Sequence, residues 1–377
     1  MIDVAKRLNI LSISDIHFGH RQTPTPLIID NVMRVFAERL PCTQLLVIGG
    51  DVFDTLLSLT ETNVNDILQF FQWLLAQCHQ YDVVVRVLAG THSHDRTQCS
   101  VFQHLHHEHL FRNDLRYIDT VRLEYIEPLG LRMLYLPDDL PYESSEAVLR
   151  VVAEQMHDLG WDYVDYAVLH GWLEKALPAH VPINKRPTVV FRTEQLRFVR
   201  RWVMAGHIHT PMVSDHTFYN GSFDRLCHGE EEPKGCMWIE QAADGSTKLE
   251  FIENTNAAIY RTIDLTPYAD IDQALAVFTT ELARLPYHPV THVRTIHPQP
   301  EVRTALQRFC ATHQPHIRYT HQSPKSQTDD TDEGESFDPT ILTAPTLETL
   351  PTLVLEYLNG RNTPHDLTAE RVAALFT

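Results

Sequence analysis

Five short groups of histidine and aspartate, each placed where an apolar run stops, carry the chemistry legible in this chain: Asp15-Ile16-His17, Gly50-Asp51, Gly90-Thr91-His92-Ser93-His94-Asp95, His170-Gly171 and Gly206-His207-Ile208-His209. Carboxylate oxygens and imidazole nitrogens brought from several strand ends to one point are the donors that a pair of catalytic divalent metals requires. At a strand end, residues i and i+2 point the same way, so Asp15 and His17 are expected to bind one ion together and His207 and His209 to line one face. Asp51, from a neighbouring strand, can bridge two ions about 3.5–4 Å apart; such a pair clamps a phosphate and lowers the pKa of a water between them.

These groups need strand ends to hold them. The runs Asn9–Ser14, Gln44–Ile48, Val83–Ala89, Tyr166–Leu169 and Trp202–Ala205 stop at the metal-type residues, a layered α/β pattern with strands buried on both faces. Between them, Pro26–Leu40 and Thr62–Gln77 have helical spacing, as in Ile67, Phe70, Phe71, Leu74 and Leu75, and read as core contacts. Residues 258–320 have their own rhythm: strand Tyr260–Leu265, helix Ile271–Leu285, strand Val290–Ile296, helix Pro300–Cys310 and strand His316–Tyr319, a small α+β domain. Ser323–Pro339, with Asp329, Asp330, Asp332, Glu333, Glu335 and Asp338, is too poor in apolar residues to pack and reads as a linker. Leu347, Leu350, Leu353, Val354, Tyr357 and Leu358 then form a helical stripe stopped by Asn359-Gly360, and Thr368 caps a second short helix. Two such helices cannot form a core alone; they dock back on the body or bind a partner's groove. The domains expected are therefore 1–245, 258–320, an acidic linker 321–340 and a helical segment 341–377.

With 377 residues and 43% hydrophobic content the chain can bury a full core. A formal net charge of −18 argues against broad adhesion to nucleic acid or anionic membrane, while leaving room for a local basic groove. No apolar stretch reaches the roughly 18–20 residues needed to span a bilayer, and the N-terminus lacks a signal-peptide pattern; the expectation is a cytoplasmic protein. The six cysteines include no C-x-x-C pair and read as free thiols in a reducing compartment.

The order D-x-H, G-D, G-x-x-S-H-D, H-G and G-H-x-H resembles the calcineurin-like metallophosphoesterase superfamily. Within it, Tyr219-Asn220-Gly221-Ser222, Arg225, Gly229-Glu230-Glu231 and Lys234-Gly235 resemble the segment that closes the phosphoesterase domain of SbcD-type nucleases, bacterial and phage counterparts of the nuclease in the MRN repair complex. The motifs cover residues 9–240; beyond 258 the likeness is one of architecture. The resemblance implies a layered metallophosphoesterase β-sandwich flanked by helices, a small capping domain that shapes DNA access, and C-terminal helices that bind the coiled-coil base of an SMC-like ATPase of SbcC type. It also implies a homodimer without membrane attachment and two divalent ions, with manganese fitting the mixed N/O donors. By motif, Asp15, His17, Asp51 and His209 would hold one ion, and Asp51, His170 and His207 the other together with a residue of the third group. His94 would be the catalytic histidine that orients the scissile phosphate and protonates the leaving oxygen. Asp54 and Asp95 would orient imidazoles or ligands from behind.

The third group departs from the family's Gly-Asn-His-Asp or Glu. Aligning Ser93-His94-Asp95 with Asn-His-Asp makes Ser93 the oxygen ligand or leaves its place to water. Aligning Thr91-His92 instead makes His92 the catalytic histidine; the first alignment is favoured because it keeps a His-Asp pair. The tract His104, His106, His107 and His109 matches no ligand motif and reads as a helix surface. Arg192, Arg197, Arg200 and Arg201 form a basic cluster that could meet a DNA backbone or simply face solvent. The leading expectation is a metal-dependent DNA exonuclease and endonuclease of a repair and recombination complex. The alternatives are a phosphomonoesterase or cyclic-nucleotide phosphodiesterase, and a scaffold with weakened catalysis.

Overall fold

Runs of β-branched and aliphatic residues that bury both faces become the inner strands of two sheets. A computed structural model of the chain describes residues 7–57, 62–95, 98–102, 114–138, 140–177 and 187–324. In chain order the strands are β1 (Leu8–Ile13), β2 (Leu45–Ile48), β3 (Val84–Leu88), β4 (Leu115–Ile118), β5 (Arg122–Ile126), β6 (Leu131–Leu136), β7 (Val164–His170), β8 (Trp172–Leu173) and β9 (Val190–Phe191). They continue with β10 (Val199–Gly206), β11 (Met212–Ser214), β12 (Thr217–Tyr219), β13 (Gly235–Gln241), β14 (Thr247–Glu253), β15 (Ile259–Asp264), β16 (Thr291–Ile296) and β17 (Ile317–Gln322). The helices are α1 (Thr25–Arg39), α2 (Thr62–Gln80), α3 (Ser145–Leu159), α4 (Ile271–Ala283) and α5 (Pro300–His313).

One six-stranded sheet has the order β14-β13-β1-β2-β3-β4 and the other β11-β12-β10-β7-β6-β5. Strands β1 to β4 run parallel in the first, and β6, β7, β10 and β12 in the second. Side chains alternate between two partners, as strand periodicity requires. Ile10, Leu45 and Val47 meet Met133, Tyr135, Tyr166 and Met204 between the sheets. Their neighbours Leu11, Ile13 and Leu46 pack outward on Ile28, Val32, Phe36, Phe71 and Leu74 of α1 and α2. On the far side Leu134, Ala167 and Val203 cover Val148 and Val152 of α3. The result is a mixed α/β fold layered helix, sheet, sheet, helix. Helix α3 is bounded by local chemistry: the Ser144 side chain accepts from the Ala147 N–H, and Gly160 ends the helix in the left-handed region.

The third sheet, β15-β16-β17, is wholly parallel. Ile263 and Val293 on one face pack against Phe278 and Leu282 of α4 and Val302 and Leu306 of α5. Every strand and helix expected around the motifs and over 258–320 is present, with ends shifted by up to three residues. Strands β4 to β6, β8, β9 and β11 to β14, and helix α3, were not foreseen.

Residues 1–324 form one unit and 325–377 a second, which lies outside the described residues. The expected acidic linker beyond Pro324, both C-terminal helices and the His104–His109 tract therefore lie outside them as well. No described helix is long and apolar enough to cross a membrane. None of the six cysteines is joined in a disulfide.

Candidate metal centre

Strands β1, β2 and β3 of one sheet and β7 and β10 of the other deliver the five groups to one edge of the layered body. The segments after β1 and β2 are knitted together: the Asp15 N–H donates to Gly50 O at 3.0 Å, His17 N–H to Asp51 O at 3.1 Å and Phe18 N–H to Val52 O at 2.8 Å. Asp15, His17, Asp51 and His207 adopt φ values of 51°, 55°, 49° and 92°, and they are four of the six described non-glycine residues with positive φ. Such conformations are costly for side-chain-bearing residues and persist where surroundings hold them. The strand-pleat explanation for Asp15 and His17 is thereby corrected. Strand β1 ends at Ile13, and two left-handed residues flanking Ile16 turn both side chains inward.

Three donor groups result: Asp15, His17 and His209; Asp51, His170 and His207; and His17, Asp54 and His94. His207 and His209 thus serve different groups and do not line one face. Asp51, expected to serve both ions, groups only with the second set, although its charge also acts on His17.

The hydrogen bonds fix how the imidazoles point. His170 Nδ1–H donates to Gly49 O at 2.7 Å, so in the neutral ring Nε2, 3.2 Å from Asp51 Oδ2, would present a lone pair to an oxygen that also only accepts, and a proton or a cation there relieves the clash. His209 Nδ1–H donates to Glu230 Oε1 at 2.7 Å, and His17 Nδ1 lies 3.4 Å from Asp54 Oδ1, long for a hydrogen bond but close enough for charge to act. Donation of one ring nitrogen to a carboxylate or carbonyl while the other faces a cation is the usual arrangement of a metal-binding histidine. Lone pairs converging on carboxylates are the observation that makes these residues fit divalent ions.

Burial opposes charging His170, yet the Asp51 carboxylate, by charge and hydrogen bond, pushes its pKa well above the ordinary value. Burial likewise opposes protonation of His17, and Asp54, Asp51 and Asp15 outweigh it. For Asp51, burial is overcome by His170, leaving it far below the usual carboxylate range. His207 is pushed down by burial and by the charge of His170. Excess negative charge is thus matched by protons on the ligands, the places a metal would take.

In the third group it is Thr91, not the expected Ser93, whose side chain faces Asp51, His170 and His207. The Thr91 N–H donates to Asp51 Oδ1 at 2.6 Å, and its hydroxyl lies 3.2 Å from Asp51 Oδ2, 3.5 Å from His170 Nε2 and 3.4 Å from His207 Nδ1. Ser93 is exposed. The reason is a helical turn: the N–H groups of His94 and Asp95 both donate to Thr91 O at 2.9 Å, so residues three and four positions apart share a side and the residue two along points away. His94 is half-buried, its ring 5.0 Å from that of His17, and its Nδ1–H donates to Asp54 O at 2.5 Å. His92 is exposed. The turn thus brings inward Thr91 from one alignment and His94 from the other, and leaves His92 and Ser93 exposed.

Asp95 does not orient an imidazole. Its two oxygens accept from Phe53 N–H at 3.0 Å and Gly90 N–H at 2.9 Å, tying the turn to the segment after β2. Burial, then the charge of Asp51, push its pKa up to about 6. Asp54 does face His17, and although burial opposes it, that contact holds its carboxyl below the ordinary value.

Glu230 and Asp138 were given no role in the sequence reading. Glu230 stands in a quoted segment, but 21 residues from His209 no spacing rule links them. Asp138 Oδ2 lies 3.9 Å from His207 Nδ1. Trp172, edge-on to His207 with ring centres 4.9 Å apart, adds an aromatic rim. The basic cluster lies elsewhere: Arg200 and Arg201 begin β10, about 20 Å along the strand from His207. Arg201 is paired with Asp165, Arg192 with Glu146, and Arg200 sits over Tyr163.

No family model matches the chain, and no curated protein matches it. One solved structure aligns over 99% of its own length and 65% of this chain, at 11% identity and a TM-score of 0.39. A likeness that loose bears on neither fold nor function.

Proposed function

We propose that the chain is a metal-dependent DNA nuclease of the calcineurin-like metallophosphoesterase superfamily, of SbcD type, hydrolysing phosphodiester bonds. The observation that carries this reading is the adjacency of two donor sets, Asp15–His17–His209 and Asp51–His170–His207, at the shared edge of a helix–sheet–sheet–helix body. Asp15, His17 and His209 would hold one ion and Asp51, His170, His207 and the Thr91 hydroxyl the other. Two divalent ions, manganese by donor type, supply charge neutralisation at a phosphate and an acidified water when bound.

The chain's own groups do the rest. His94 donates Nδ1–H to the Asp54 carbonyl, which orients the ring; in this reading the imidazole passes a proton to the leaving oxygen. Asp95 fixes the turn that presents it, and Glu230 and Gly49 fix the His209 and His170 rings. The β15–β17 sheet is read as the DNA-capping element. Residues 341–377 are read as the segment that binds an SMC-like ATPase, and a second copy as the dimer partner; these three assignments rest on the resemblance in the sequence.

A manganese-dependent assay on end-labelled duplex and single-stranded DNA tests the reading. Asp51→Asn should abolish cleavage, while His94→Asn should retain the ions and slow cleavage by about 10²–10⁴-fold. Wild-type cleavage by either variant removes the assignment, and rapid turnover of para-nitrophenyl phosphate esters without DNA cutting moves the chain to the phosphomonoesterases.

A further inference from the structure

The loop from Asn220 to Lys234, between β12 and β13, grips the candidate centre on one side and the small sheet on the other. On the inner side, buried Glu230 accepts from His209 Nδ1–H at 2.7 Å, from Leu226 N–H at 3.0 Å and from the Ser222 hydroxyl at 3.4 Å. Fully buried Lys234 lies 3.1 Å from Glu230 Oε2 and donates to His209 O at 2.8 Å. Ring and backbone of His209 are thus both held by this loop. On the outer side, the next residue, Glu231, accepts from Arg261 Nη1 at 2.7 Å and from Thr262 N–H at 2.8 Å, both on β15. Arg225 donates to Ala258 O at 3.1 Å and to Glu232 O at 3.2 Å. Arg261 also donates to Glu281 Oε2 of α4 at 3.0 Å, so one guanidinium joins the loop to the body of the small domain.

Glu230 and Glu231 share one peptide plane. That rigid unit joins their Cα atoms, so a shift of the backbone at one is passed to the other, and a hydrogen bond weakens steeply with distance and angle. The geometry points to Glu230 as a positioning residue for His209, and to the seating of β15 on Glu231 as the setting of how firmly the Asp15–His17–His209 group holds its ion. This rests on the metal-centre reading above. Magnitudes separate the two links. Loss of a partner orienting a ligand costs 10–100-fold in metal affinity, whereas the Glu231–Arg261 pair, 33% and 41% exposed, is screened by salt and gives a smaller effect.

The test is calorimetric titration of the full chain with manganese. Glu230→Gln is expected to weaken one of two ions at least tenfold and leave the other unchanged. Arg261→Ala and Glu231→Gln are expected to weaken the same ion two- to fivefold at low salt, the difference closing at high salt. Arg192→Ala, which breaks the exposed pair with Glu146 outside this network, is expected to bind as wild type. Glu231→Gln keeps size and an acceptor for Thr262, so it stands in if Arg261→Ala melts early. Wild-type affinity in both outer variants overturns the coupling, and wild-type affinity in Glu230→Gln overturns the positioning role. A wild-type chain that takes up no divalent ion overturns the metal centre itself.

Discussion

The Nε2 atoms of His17 and His209 lie 3.1 Å apart although 192 positions separate the residues. Two nitrogens each about 2.1 Å from one ion, at angles near tetrahedral or octahedral, stand on the order of 3 Å apart. With His209 Nδ1–H given to Glu230, that spacing suits a shared cation, or a proton in its absence.

Divalent ions should therefore stabilise the folded chain. Manganese at about 100 times its dissociation constant is expected to add ~2.7 kcal/mol per site and raise the melting midpoint. His209→Ala and Asp51→Asn should each lose the share of that gain that belongs to its own donor set. A midpoint indifferent to manganese, zinc and iron alike would end the two-ion reading.

Thr91 and Ser93 make opposite predictions in titration calorimetry. Thr91→Val removes the hydroxyl facing Asp51, His170 and His207, and should weaken one ion several-fold. Ser93→Ala, on the exposed side of the turn, should change neither affinity. Thr91→Asn restores an amide oxygen and should tighten the ion that Thr91→Val loosens.

Gly50 has no room for a side chain. At φ +95°, an added Cβ would lie 2.3 Å from His170 Nδ1 and 2.8 Å from Gly90 Cα. Gly50→Ala should cost about 2–4 kcal/mol in chemical denaturation and displace His170, lowering metal uptake. A fully stable alanine variant would contradict the packing described.

The joint between the layered body and the small sheet should be acid-sensitive. His292 stacks on Tyr260 with ring centres 4.5 Å apart, and His228 meets the same ring edge-on at 5.3 Å. Burial pushes both histidines down to about 4; Arg294 and His292 add to this at His228, and Arg318 and His20 at His292, against the Gln22 carbonyl. A depressed histidine favours folding while neutral, so its contribution is full above pH ~6.5 and is lost as pH falls towards 4. The melting midpoint should drop between pH 7 and 5, and less so in His228→Gln/His292→Gln. Equal slopes for the two proteins would show that these rings do not govern the joint.

The motifs were legible because each follows a buried parallel strand, so the apolar run and the chemistry that ends it are contiguous. Strands β4 to β6 and β11 to β14 lack that uniform burial in several places: β5 alternates burial with exposure, and β14 buries no residue fully. Helix α3 did carry its signals, Ser144 before and Gly160 after, but no motif drew attention to them. The outward turn of Ser93 was not legible because alignment along the chain assumes extended spacing, whereas the turn from Thr91 brings residues 94 and 95 inward. Glu230 had no local signature, since its partner arrives from another strand's end.

Thr91 also makes the two donor sets unequal. Each gathers a carboxylate and two imidazoles, and the second adds a neutral hydroxyl, a weaker donor than an amide oxygen. Under the proposed function, that ion would be held less tightly than an amide in the same place would hold it. Cleavage would then follow the cell's supply of metal, fading as manganese is sequestered.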